Sequence, residues 1–456
     1  MHRYRDWLRA PATIASTQLS VATKPGVSAH GSLDQAAFML AEAVMQRPAP
    51  ARAKPAVDNF VSSHKAENGS PMAAHINPGN GLVAAAAVSV GYRVLACDRL
   101  LPNTRATARS IELNSSEAPT GPTGDNSETH QPERSRHQSR HAALPGSHAD
   151  TDSATLVTVR LPTDKLSMAL AVLEAHRILK TGGECLLAGA NNEGAKSAER
   201  FMQWVFGNTR LEAQHSAHRL IRSVKTGSEI PTSTSEPVEA ARRADKASLA
   251  LLNSALPWQD LNRFHHVSFN VAVGTHKELS LTQATRPGVF SWEHADHATR
   301  LLLEAMDVRA GDRVLDLGCG AGVLGLAAAT ITDAPVVLLD ADAESLHCAR
   351  ETLRLAGHGS TPGHVTVHAS DVTDAVDGMQ FDLVLSNPPF HLGKSVDMEL
   401  PAAFIHEAWE VLTPGGRLML VANRRLPYEA LIREKFGHVQ SVREAAGFKV
   451  LLGVRR

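Results

Sequence analysis

The chain has 456 residues, 43% apolar and 20% charged, enough at roughly 150 residues per domain for about three domains or two large ones. Its 46 Lys+Arg against 47 Asp+Glu exclude a uniformly basic nucleic-acid binder, though not a local basic patch. Four scattered cysteines (Cys97, Cys185, Cys319, Cys348) with no CxxC pair argue against a disulfide scaffold and a zinc ribbon, so no metal centre is expected. No apolar run reaches the roughly 18 residues of a membrane span, and MHRYRDWLRAPATIAS at the start has no secretory apolar core, so the expected setting is cytoplasmic and away from membranes.

In chain order, residues 70–210 carry a faint strand–helix rhythm: INPGNGLVAAAA (76–87), YRVLACDR (92–99), LVTVRLP (156–162) and KTGGECLLAGANNEG (180–194). Within it, residues 114–153 hold one aliphatic side chain larger than Ala, Leu144, which predicts disorder. The histidines there (His130, His137, His141, His148) read as solvated rather than metal-binding. Residues 226–248 read as a linker or exposed loop.

The rhythm is clearest over 286–456: RVLDLGCGAG (313–322), a helix from Val323, APVVLLDAD (334–342), a helix over 343–356, HVTVHASD (364–371), FDLVLSNPPF (381–390), a helix around 401–412 and GGRLMLVAN (415–423). Alternating strands and helices with near-continuous apolar strands predict an α/β fold with a parallel, doubly wound sheet. The segments of the first half pair with these in order, which implies a tandem duplication; NPGNG stands against DLGCGAG, with Asn77 opposite Asp316.

Four groups of residues carry chemistry. The glycines Gly318 and Gly320 after a strand let a ligand approach the backbone closely. Asp316 before them would oppose a pyrophosphate and attract a cation, so a sulfonium cofactor with an amino-acid tail, S-adenosylmethionine, fits better than a nicotinamide dinucleotide. Asp340, ending the next strand, suits the two ribose hydroxyls, with Asp342 as a fallback or a helix start. Asp371 suits an adenine amino group, or else caps its loop.

Asn387-Pro388-Pro389-Phe390-His391 follows directly on a strand. The Asn387 side-chain carbonyl and the Pro388 backbone carbonyl can both accept from one exocyclic amine, aiming its lone pair at a methyl donor. Phe390 offers a stacking face. No strong general base is required, because the amine loses its proton after transfer; the work is orientation.

DLGCGAG, LLDAD, ASD and SNPPFHLG together resemble a Rossmann-type S-adenosylmethionine-dependent methyltransferase of planar amino nitrogens. RPGVFSWEHADHATRLLL (286–303), NPPFHLG (387–393) and PGGRLMLVANRRLPYEALIREKFGHV (414–439) are more specifically similar to the bacterial ribosomal RNA guanine-N2 methyltransferases. That resemblance implies two tandem Rossmann-like methyltransferase lobes, the first degenerate. The lobe boundaries it implies are 1–225 for the degenerate lobe, 226–260 for a linker and 261–456 for the catalytic lobe. It implies cofactor contacts at Asp316, Gly318, Gly320, Asp340 and Asp371, the target amine at Asn387–Phe390, and Pro287–Phe290 flanking the site. The partner implied is ribosomal RNA or a ribosomal subunit, and two lobes in one chain favour a monomer.

His391, Asn423 and Arg424 are expected to touch substrate, the last two because they follow a strand on the ligand-binding edge. Nine Lys/Arg against three Glu over 417–456 are a candidate phosphate-binding face or an ordinary surface. Methylation of adenine N6 or of a protein glutamine amide uses the same Asn-Pro-Pro chemistry and stays open, as does a silent RNA-binding assembly factor.

Overall fold

A computed structural model describes residues 4–28, 30, 34–47, 71–115, 137–143, 149–227, 229–233, 245–276, 278–358, 363–389 and 398–456. The chain divides into two compact units. One is built on Asp260–Arg456, with residues 4–6 and 100–102 joining it; the other comprises Trp7–Arg99 and Asn103–Gln259.

The N-terminal unit opens with an antiparallel hairpin, β1 (Leu8–Ile14) and β2 (Thr17–Thr23). A helix, Gln35–Met45, follows, its first turn capped by the Asp34 carboxylate. The sheet comprises β3 (Met72–Ile76), β4 (Arg93–Asp98), β5 (Gln138–His141), β6 (Ala154–Arg160), β7 (Leu179–Ala190), β8 (Arg210–His215) and β9 (His218–Val224), in the order β5-β4-β3-β6-β7-β9-β8.

The C-terminal unit repeats the plan. A hairpin of β10 (His265–Ala272) and β11 (Glu278–Thr285) precedes a helix, His297–Ala305, capped by Asp296. Then come β12 (Val314–Leu317), β13 (Val336–Asp340), β14 (Val365–Ala369), β15 (Phe381–Ser386), β16 (Leu412–Asn423), β17 (Gln440–Ala445) and β18 (Phe448–Val454). Their order is β14-β13-β12-β15-β16-β18-β17, the same permutation as in the first unit.

Alternation along the strands explains why both faces are covered. Val314, Leu338, Leu383 and Leu385 point into one buried cluster with Leu302 and Leu326; Leu315, Leu317, Leu339 and Val384 point into the other with Phe404 and Ile432. The strand order reverses at β12, between β13 and β15, the kind of switch point beyond which open α/β sheets take their ligands.

The fold departs from the expectations of the sequence in three places. Residues 138–141, inside the stretch expected to be disordered, form edge strand β5. The parallel ladder to β4 supplies bonds that composition does not encode, and His141 is further held by the Arg99 carbonyl at 2.7 Å. Residues 116–136 and 144–148 of that stretch lie outside the described residues. In the stretch expected to be a linker, Asp245 caps a helix, Lys246–Ala255, that packs on Lys165–Ile178. Finally, strand register places His75, not Asn77, opposite Asp316: His75 pairs with Thr158 of β6 as Asp316 pairs with Leu385 of β15.

The repeat also extends upstream of residue 70. TKPGV (23–27) follows β2 as TRPGV (285–289) follows β11, and Asp34 and Asp296 cap the next helix at the same interval.

Candidate active site

The glycine loop follows directly on the end of β12, at the switch point. Gly318, Gly320 and Gly322 adopt φ of 74°, 54° and 83°, the left-handed region in which a side chain is strained. They serve different ends. A Cβ on Gly322 would lie 3.0 Å from the Ala349 Cβ, so this glycine lets the following helix pack closely. A Cβ on Gly320 would meet no described residue within 4 Å.

Two carboxylates stand over the loop. Asp316 is fully buried; its Oδ2 accepts from the Gly325 backbone N–H at 2.8 Å, and its Oδ1 has no hydrogen-bond partner among the described residues. Burial, reinforced by the nearby Asp340 charge, pushes its carboxyl up to about 7. Asp340 accepts from Gly320 N at 2.8 Å and from Asp342 N at 2.8 Å; burial and then the Asp342 charge raise it to about 6. A buried carboxylate with an unpartnered oxygen is costly unless a cation or donor completes it. Asp342 itself caps the helix that follows, accepting from Glu344 N at 2.9 Å.

Asp371 is buried and accepts from the Tyr4 hydroxyl at 3.0 Å. The loop-holding role open to it in sequence falls to Asp374, which accepts from Ser370 Oγ (2.8 Å) and from Asp371 N (2.9 Å).

Asn387 lies just past β15, beside the glycine loop, since Ser386 donates to the Leu317 carbonyl at 2.7 Å. Its Nδ2 donates to Asp296 Oδ2 (3.2 Å) and to Thr299 Oγ1 (3.0 Å). The Thr299 hydroxyl proton is committed to Asp296 Oδ2, at 3.0 Å, so both groups facing the amide are acceptors there. That arrangement fixes which end of the amide is NH2 and leaves Oδ1 buried with no partner among the described residues. Sequence reasoning missed Asp296 and Thr299. The signal was present, an Asp followed three residues later by Thr at a helix start, but a cap pattern does not say what else the carboxylate touches.

Pro388 is buried and Pro389 exposed; Phe390 and His391 lie outside the described residues. In the Pro287–Phe290 segment, Val289 packs on Ala321 of the glycine loop and on Cys348, while Phe290 is 61% exposed. Asn423 spends its Oδ1 on Arg425 N at 3.0 Å, and Arg424 reaches Glu444 at 3.4 Å from an exposed position. The basic C-terminal residues divide. Arg417 is buried against Asp307 and Asp312, and Lys449 is buried against Glu429 and the carbonyls of Arg424 and Leu426, so neither belongs to a phosphate-binding face.

The first copy keeps the frame and loses the chemistry. Asp98 stands where Asp340 does, accepting from Gly79 N at 3.3 Å, but Asn103 also donates to it at 3.3 Å, and Thr107 and Ser110 bond the loop carbonyls. His75 replaces Asp316, and burial lowers its pKa to about 3, so it carries no charge there. Arg160 replaces Asn387 and is held by Asp34 (3.1 Å) and Glu193 (2.9 Å). Among the described residues, no group of His, Cys, Asp and Glu is placed to hold a metal ion, and no helix is long and apolar enough to cross a membrane.

Residues 280–452 match the family described as Methyltransferase small domain. A ribosomal RNA small subunit methyltransferase C of Haemophilus influenzae (strain PittGG) is 30% identical over 299 residues, covering 65% of this chain and 78% of the relative. The chain belongs to the ribosomal RNA small subunit methyltransferase C family. Members from another Haemophilus influenzae strain (86-028NP) and from Pseudomonas entomophila are 36% and 41% identical over 47% and 37% of this chain. Those two alignments span 61% and 49% of the relatives' lengths, less than two thirds in each case. The solved T. thermophilus 16S rRNA N2 G1207 methyltransferase, in complex with AdoMet and guanosine, superposes with a TM-score of 0.69 over 98% of both chains at 24% identity, which establishes the shared two-lobed fold.

Proposed function

We propose that this protein transfers a methyl group from S-adenosylmethionine to the exocyclic N2 of a guanine in small-subunit ribosomal RNA. The observation that carries the reading is Asn387: its NH2 is tied to Asp296 and Thr299, and its carbonyl oxygen is buried beside the glycine loop without a partner among the described residues. Such an oxygen is built to accept from an amine that arrives only with substrate.

The residues present fit the cofactor. Asp316 would hold its ammonium group, the open space at Gly320 admits its backbone-hugging portion, Asp340 would take the ribose hydroxyls and Asp371 the adenine amine. Bound S-adenosylmethionine supplies an electrophilic methyl on sulfur. Asn387 Oδ1 and the Pro388 carbonyl accept from the two N2 hydrogens, which draws the nitrogen lone pair out of conjugation and aims it. One proton leaves after transfer, so orientation rather than a strong base lowers the barrier. Phe390 is proposed to stack on the base, and His391, Asn423 and Arg424 to contact RNA; the base must leave its stack to arrive. The first lobe is proposed to be catalytically silent, the protein to act as a cytoplasmic monomer, and Pro287–Phe290 to border the substrate.

The test is a nucleoside digest with mass spectrometry after incubation with unmodified small subunits, large subunits and naked rRNA in parallel. N2-methylguanosine appearing with small subunits or their RNA, and disappearing in Asn387→Ala while cofactor affinity persists, is the expected result. A methyl on adenosine, or none on any RNA, would overturn the substrate assignment.

A further inference from the structure

Residues 4 and 5 meet the C-terminal catalytic unit at one loop, residues 370–377, and at the helix Glu399–Val411 beside it. Arg5 forks across both: Nε and one terminal nitrogen bond Glu407 (3.0 and 3.1 Å), the other bonds Asp377 (3.0 Å), and the fork also reaches Thr373 Oγ1 at 3.1 Å. Glu407 in turn accepts from Thr373 N and Oγ1 at 3.1 and 2.8 Å. The loop needs such bracing, since Val372, a β-branched residue, sits at φ 58°. Four carboxylates (Asp371, Asp374, Asp377, Glu407) crowd it, and Arg5 supplies opposing charge.

Anchored by its neighbour, Tyr4 packs on the cluster that holds Leu339, Val372 and Val376, and its hydroxyl donates to one oxygen of Asp371. Burial, followed by the Asp371 charge, holds the phenol well above its ordinary pKa, so it remains a donor. A hydrogen bond from a rigid, packed ring to one oxygen restrains the plane of the carboxylate.

We propose that Tyr4 is a positioning residue for the adenine end of the cofactor site: by holding Asp371 Oδ1 it turns the carboxylate toward the exocyclic amine of adenine, with Arg5 as its anchor. This rests on the assignment of Asp371 to that amine. Base selectivity thus depends on a residue 367 positions away in the chain.

The experiment compares binding of S-adenosylhomocysteine with S-inosylhomocysteine, which carries an oxygen in place of the amine, by calorimetry on the full chain. Tyr4→Phe keeps the ring and is expected to cut the preference for the adenine ligand about five- to tenfold, the worth of one oriented hydrogen bond, with binding of the inosine ligand unchanged. Arg5→Ala shifts the preference in the same direction. Equal weakening of both ligands, in step with a lower Tm, would mean that Tyr4 is merely structural and overturns the proposal. Undiminished preference in Tyr4→Phe, with the preference lost in Asp371→Ala, also overturns it while leaving Asp371 in place. Undiminished preference in Asp371→Ala overturns the assignment on which it rests.

Discussion

Asp296 does two jobs with one oxygen, and they can be separated. Its Oδ2 accepts from Thr299 N at 2.7 Å, capping the helix, and from Asn387 Nδ2 at 3.2 Å, orienting the amide. Serine caps a helix about as well as aspartate but is too short to reach Asn387 and carries no charge. In Asp296→Ser the cap survives and one of the two acceptors facing Nδ2 is lost. A hydrogen bond to a charged group contributes roughly 1.5–3 kcal/mol, and about 1.4 kcal/mol is a factor of ten. The expected loss in kcat is therefore roughly 10- to 100-fold, and adding Thr299→Val, which removes the second acceptor, deepens it. Multiple-turnover methyl transfer from labelled cofactor to saturating small subunits measures kcat, calorimetry the cofactor affinity, and thermal melting the fold. Cofactor affinity should be unchanged and Tm within about 2 °C of the parent. Wild-type turnover in Asp296→Ser, or a loss that merely follows Tm, would refute the positioning argument.

Asp316 ties stability to pH. The folded chain holds a proton that the unfolded chain releases, across the window from 3.8 to about 7, so the ligand-free protein loses stability as pH rises through that window. Asp316→Asn should flatten this part of the profile, raising Tm at pH 8 with little effect near pH 4, while weakening cofactor binding; an unchanged profile would contradict the burial argument. The parent's cofactor affinity should fall as pH drops below about 7, because the ionised form is the one proposed to hold an ammonium group. The glycines should also part company. Gly322→Ala, with its Cβ 3.0 Å from Ala349 and Leu338, should cost roughly 1–3 kcal/mol of stability. Gly320→Ala, facing open space but sitting at φ 54°, should cost only its backbone strain of roughly 1 kcal/mol, while weakening cofactor binding at least tenfold by calorimetry. Titration of the intact chain should give one cofactor per chain; two would refute the degeneracy of the first copy.

Chemistry carried by contiguous residues is legible in the sequence itself. A strand ending in Asp316-Leu-Gly-Cys-Gly, the acid closing the next strand at Asp340, and Asn387-Pro388-Pro389 after a third each carry their proposed role in a few adjacent positions, because backbone turn, ligand approach and side chain are local matters. The same holds for the alternation that announces two covered sheet faces and for the faint second copy. The register of that copy is harder to read. Matching the loops NPGNG and DLGCGAG sets Asn77 opposite Asp316, and only the ladder of β3 with β6 puts His75 there, since a loop does not reveal which residue ends a strand. Edge strand β5 is invisible in sequence for a related reason: Gln138–His141 has no apolar pattern and owes its form to pairing with β4.

What tertiary structure alone decided is which distant groups complete the local motifs. Asp296 and Thr299 orient Asn387 across some 90 residues of chain, and Tyr4 reaches Asp371 across 367, while Arg417 and Lys449 turn from surface charge into interior partners. None of these pairings leaves a mark in spacing, because a hydrogen bond depends on where two side chains arrive in space, and that is settled only when the whole sheet and its covering helices have packed.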